Sequence, residues 1–177
     1  MRILSIALVL TGMLPPASAT TLQRLGLDEI IKKSTSIVRA KVLGSAGALV
    51  GQDIYTYYQL QVLEDLKSAG VQRTEVAVPG GSARGLRQIV AGAPVLKTGD
   101  EYIFFLWTSP SGLTQVIGLS QGLFSVVQNA AGDVVVVRRA ASELMLDKSG
   151  RVVSDQDVLM RLSDLRAEVQ KTRSAGK

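Results

Sequence analysis

The sequence predicts a mainly β, α+β protein: a small antiparallel barrel of OB-like type, with a short N-terminal helix and an amphipathic C-terminal helix. Three observations carry this expectation. Stretches rich in valine, isoleucine and aromatic residues follow one another at short intervals between turns marked by Gly, Pro and Asn. "EYIFFLW" is almost continuously apolar, as a strand covered on both faces must be. Helical periodicity is confined to the two ends of the domain. Closing such a sheet into a barrel removes the free edges that invite aggregation.

Residues 1–19 read as a secretory signal peptide. Met1-Arg2 is a short positive start, Ile3 to Leu14 is an apolar run, Pro15-Pro16 ends it, and Ala17-Ser18-Ala19 offers a small-residue cleavage site. Cleavage between Ala19 and Thr20 would release the product to the periplasm or the medium. The apolar run is too short to span a bilayer comfortably, and no later segment is better suited, so the chain is not expected to span a membrane. The expected organisation is a domain over 20–153, a closing helix over 154–172 and a disordered tail over 173–177.

Along the domain, "LQRLGLDEIIKKST" has the charge order of a helix, acidic at its start and basic in its last turn. "STSIVRAKVLGS" then alternates, with Val38, Ala40 and Val42 on one face and Arg39 and Lys41 on the other, before a loose "GSAGALVGQD". In "DIYTYYQLQVLEDLK" the residues Tyr58, Leu60 and Val62 share a face. Leu63 and Leu66 break that alternation and place a bulge or bend near Glu64. "RTEVAVPGG" is a strand with a terminal turn, and Leu86 to Val90 holds a short strand within a loop-rich segment. "GLTQVIGLSQGLFSVV", "FSVVQNAAGDVVVVRR" and "LMLDKSGRVV" read as three hairpins, with Asp147 as a turn residue in the third. From Ser154 the apolar residues Val158, Leu162, Leu165 and Val169 recur at helical spacing, behind a Ser154/Asp157 pair that resembles a capping box.

Composition narrows the function. The 177 residues include no histidine and no cysteine, so disulfides, thiol nucleophiles and the usual zinc ligands are all missing. The acidic residues lack the spacing of a calcium loop. No metal and no cofactor is therefore expected. The net charge of +5 is spread along the chain and aromatic residues make up only 5%, which argues against a nucleic-acid partner.

The run Gly118-Leu119-Ser120-Gln121-Gly122 spells G-x-S-x-G, the pattern of a hydrolase nucleophile elbow. That elbow needs a strand feeding a helix and a base to take the serine proton. "LFSVVQ" follows instead, and the chain has no imidazole; general-base assistance alone supplies roughly 10²- to 10⁴-fold. Ser120 is read as a turn serine.

Two sets of residues are candidates for recognition. "PGGSARGLRQ" places Arg84 and Arg87 among glycines, where an anion could be held. Tyr55, Tyr57 and Trp107 lie near strand ends, where their rings could stack on a sugar or enter a partner's pocket.

"IYTYYQLQVLEDLKSAG", "VAVPGG", "GAPVLKTGDEYIFFLW" and "GLTQVIGLSQGLF" together resemble a family of uncharacterised exported bacterial β-rich proteins over Leu25 to Val127, with Ser68 standing where that pattern has Gly. The resemblance implies export and a β-rich domain. The order "SIVRAKVLGS", "YYQLQVLEDLK", "GDEYIFFL" is also similar to the netrin-module barrels, which include the tissue inhibitors of metalloproteinases. It implies an OB-type barrel and points to an extracellular protease as partner. The inhibitors' cysteine-led N-terminus has no counterpart in Thr20-Thr21, so their mechanism does not carry over.

The expected function is that of an exported, non-enzymatic binding module for a protein partner. The alternatives are an envelope carbohydrate- or polyanion-binding domain using Arg84, Arg87 and the tyrosines, and a serine hydrolase using Ser120.

Overall fold

The computed structural model describes residues 21–67 and 73–175. The expected signal peptide with its cleavage point, and Ser68, lie outside the described residues. In chain order the elements are β1 (Thr21–Gln23), α1 (Leu27–Lys33), β2 (Ser36–Val50), β3 (Asp53–Lys67), β4 (Arg73–Pro79), β5 (Gly81–Ala83) and β6 (Leu86–Gln88). There follow β7 (Glu101–Thr108), β8 (Thr114–Val116), a 3-10 turn (Leu119–Gly122), β9 (Leu123–Gln128) and β10 (Val134–Arg138). β11 (Leu144–Leu146), β12 (Val152–Val153), β13 (Val158–Arg161) and α2 (Leu162–Ser174) complete the chain. The protein is mainly β with two helices, as the sequence predicts.

An antiparallel sheet in the order β13-β10-β9-β7-β2-β3-β4, with β8 also on β7, organises the molecule. Among the described residues no ladder joins its two ends. The expected closed or nearly closed barrel is an open sheet, in which β4 and β8 approach each other across a cleft lined by Val78 and Val116.

Both faces of the sheet are covered, and β7 shows how. Tyr102, Phe104 and Leu106 enter one core with Val38, Ala40, Val42, Tyr58 and Leu60. Ile103 and Phe105 enter a second core with Ile30 and Ile31 of α1 and Leu162, Leu165 and Val169 of α2. Alternate side chains thus go to opposite cores, which is why the strand reads as an unbroken apolar run. Phe105 and Phe124 meet there with ring centroids 5.4 Å apart.

The β2–β3 hairpin is longer than its sequence suggests, because "GSAGALV" continues β2 to Val50 instead of forming a loop. Gly47 makes this possible: a Cβ there would lie 1.9 Å from the Ser82 carbonyl oxygen of the crossing β5. The predicted irregularity in β3 is present. The pairing passes from Lys67 to Asp65 and from Glu64 to Val62, skipping Leu66 and Leu63. Leu66, displaced from strict alternation, joins the helix-covered core.

Three other expectations change. First, "GLTQVIGLSQGLFSVV" is no hairpin. β8 and β9 both pair with β7 in the same sense, Val116 opposite Leu106 and Leu123 opposite Phe104, so they are one strand interrupted by residues 117–122. Second, the C-terminal helix begins at Leu162 rather than Ser154 and runs to Ser174, into the segment expected to be disordered. Residues 158–161 form β13 because the edge of β10 takes them as a partner, Val136 opposite Met160. Val158 still reaches the helix-covered core, so it satisfies the apolar spacing from a strand. Third, Ser154 and Asp157 do not cap the helix: Asp157 accepts hydrogen bonds from Ala140 N and Arg139, and the N-cap position is Arg161. Asp155, its side chain 1% exposed, binds Arg138 through two contacts of 2.6 and 3.0 Å and locks this return segment.

The third hairpin forms as predicted, β11 against β12, with Asp147 at its turn. Its carboxylate takes hydrogen bonds from Ser149 and Arg151, which hold it at about 2. Less expected is β1, which lies parallel to β11 and brings the chain's described N-terminus across the end of the sheet.

Candidate functional site

The site is built around the interruption between β8 and β9. Gly118 and Leu119 both adopt left-handed backbone, φ 61° and 57°. The chain then closes one 3-10 turn and re-enters the sheet at Leu123. Gly122 has no room for a side chain, since a Cβ would stand 2.6 Å from the Ile117 carbonyl oxygen. Gln121 is buried, and both ends of its carboxamide are hydrogen-bonded. Its Oε1 accepts from Leu25 N at 2.9 Å and its Nε2 donates to the Gln23 carbonyl at 3.0 Å. A side chain here does the work of a neighbouring strand for a segment that has none on that side.

The two glycines and the glutamine of the G-x-S-x-G run thus serve local geometry. Ser120 sits on the turn, partly exposed, and the strained residue is its predecessor Leu119 rather than the serine itself. The turn leads into a strand, as read from the sequence.

Pinning Gln23 to Leu25 opens a cleft of about 520 Å³ between this segment and the end of the sheet. It is lined by Leu22 and Leu25, by Trp107 of β7, by Gln115, Val116 and Ile117, and by Lys33 at the end of α1. Trp107 follows Phe105 on the helix side of β7 but lies past the helices, which leaves it 42% exposed. Lys33 bonds to Glu29 at 2.8 Å while half of it stays in solvent. No carboxylate lines the cleft. Its lining is largely apolar, with an indole, amides and one cation.

No protein-family model, curated protein or solved structure matches this chain.

The other sequence candidates lie elsewhere. Tyr55 and Tyr57 stand side by side on β3, ring centroids 6.4 Å apart, with Tyr57 on a separate cleft beside the Ser111–Thr114 turn. Arg84 and Arg87 are exposed on the β5–β6 hairpin. Arg87 lines a cleft with Thr56 and Tyr58, whereas Tyr55 and Tyr57 alternate to the opposite face of β3. The arginines and the tyrosine pair consequently share no surface. Among the described residues no group of three or more acidic side chains is placed to hold a metal ion, and no helix is long and apolar enough to cross a membrane.

Sequence reading missed Gln121, Leu22, Leu25 and Lys33. Their meeting depends on a parallel pairing of residue 21 with residue 144, for which local periodicity carries no signal. A glutamine between a turn serine and a glycine offered the one local hint, being a long polar side chain where a hairpin turn would call for a small one.

Proposed function

We propose that this chain is an exported, non-enzymatic binding module that holds a protein partner in the Trp107 cleft. The observation that carries this reading is Trp107 itself: a half-exposed indole forming the wall of an open, apolar cleft. Large aromatic side chains of this kind anchor protein interfaces, where they contribute apolar area while losing little side-chain entropy. The lining asks for an extended segment with an apolar anchor between Trp107 and Leu25 and an acidic group near Lys33. The resemblance to the netrin-module barrels supports an extracellular protease as the partner class.

The test is capture of partner by immobilised chain beginning at Thr20. Trp107→Ala and Lys33→Glu should each abolish or strongly weaken the capture, and Ser120→Ala should leave it intact. Equal capture by all four proteins would place the partner elsewhere. A turnover activity lost in Ser120→Ala would instead establish the hydrolase alternative.

A further inference from the structure

The β5–β6 hairpin and the loop after it carry an unusual surface. Ile89 is 80% exposed and Val95 is 86% exposed, the two most solvent-accessible large apolar side chains among the described residues. Both border a cleft of about 390 Å³, and Arg87 borders it with them. No carboxylate lines this cleft. Leu86, 58% exposed, precedes Arg87 on β6 and alternates to the opposite side of the hairpin. Arg84 occupies the tip, beside Gly85, with φ 51° and 77° respectively.

Two features need explaining. A tight turn with positive φ at both central residues calls for Asn or Gly, and here an arginine takes the first position at a conformational penalty. Neither Arg84 nor Arg87 forms an ion pair among the described residues. The carboxylate that the hairpin does touch, Asp53, accepts a hydrogen bond from Gln88 instead. The hairpin and its loop thus present two uncommitted cations and, beside Arg87, two apolar side chains that solvent disfavours.

We infer that this hairpin and loop dock on an anionic phospholipid surface, with Ile89 and Val95 entering the headgroup boundary and Arg84 and Arg87 pairing with lipid phosphates. The charge complements such a surface, and the apolar tips distinguish it from a soluble polyanion, which would reward the arginines alone. Docking is peripheral. It leaves the Trp107 cleft, which shares no lining residue with this one, to its own partner.

The experiment is co-sedimentation of the chain beginning at Thr20 with vesicles of phosphatidylcholine alone and with vesicles in which half the lipid is phosphatidylglycerol. The wild-type chain should bind the anionic vesicles selectively, and added salt should weaken that binding. Each arginine near the surface contributes about 1 kcal/mol, or about fivefold, so Arg84→Glu with Arg87→Glu should weaken binding by about 25-fold or more. Ile89→Asp with Val95→Asp should weaken it comparably, although it leaves both arginines in place. All four positions are exposed, and circular dichroism identical to wild type checks that each variant folds. Absence of wild-type binding to anionic vesicles would overturn the inference. So would binding indifferent to both double variants. Binding lost with the arginines but not with Ile89 and Val95, and matched by a soluble anionic polysaccharide, would also overturn it and assign the site to polyanions.

Discussion

The carboxamide of Gln121 completes the backbone of Leu25: its Oε1 accepts the Leu25 amide at 2.9 Å, while its Nε2 reaches back to the Gln23 carbonyl at 3.0 Å. The pair is separated by 96 positions in sequence, and it fixes the wall of the cleft that Trp107 faces. Gln121→Leu keeps the volume and strands both backbone groups, so stability should fall by about 1–3 kcal/mol in urea denaturation. Hydrogen exchange at Leu25 should accelerate with it. Gln121→Glu should also destabilise, because two acceptors then oppose each other at Gln23.

Gly122 and Ser120 belong to one motif and should behave oppositely. Gly122→Ala forces a Cβ to 2.6 Å from the Ile117 carbonyl, against backbone that the sheet holds in place. The expected loss is about 1–3 kcal/mol, with the Trp107 cleft distorted. Ser120→Ala on the same turn should change neither the denaturation midpoint nor partner capture.

The return segment before α2 hangs on Arg138. Asp155→Ala would leave that guanidinium buried without its counter-charge, and a loss of about 3–5 kcal/mol is expected. Asp157→Ala removes a pair that is open to solvent, Arg139 being 83% exposed, and should cost less than about 1 kcal/mol. Thermal or urea unfolding of the two variants measures the contrast.

Acid stability follows from the depressed carboxylates. Hydrogen bonds from Arg166 hold Glu64 below its usual 4.5. Burial pushes Asp155 up, but Arg138 and the Ala141 amide pull it further down, to a net position below 3.8. A folded pKa below the unfolded one stabilises above the unfolded value, and that contribution is lost as pH falls through the folded one. With no histidine to titrate, stability should be flat from about pH 8 to about pH 5 and should decline below about pH 4.5. Glu64→Gln should remove the upper part of that decline, as measured by denaturant midpoints across pH.

What the sequence made legible follows from the range of the interactions. The alternation of Val38, Ala40 and Val42, the bulges at Leu63 and Leu66, the central position of "EYIFFLW" and the Asp147 turn are all local, and all are present. Val158 misled because period 3.6 and period 2 both deliver it to the same core, and only the vacant edge of β10 decides between them. The break in β8–β9 resembled a hairpin because Gly118 and Gly122 flank it as they would flank a turn, while both halves lie on β7. The place of Trp107 near a strand end was legible, and it lies near the end of β7. Its partners in the cleft were not, since the parallel pairing of β1 with β11 and the reach of Gln121 join residues about a hundred positions apart.

Trp107 is the single tryptophan of the chain, so its fluorescence reports directly on the cleft. Titration with the captured partner should shift and saturate that emission in the wild-type chain and in Ser120→Ala, with the midpoint raised at least tenfold in Lys33→Glu. Saturable binding by calorimetry with the Trp107 emission unchanged would contradict the assignment of the cleft as the docking site.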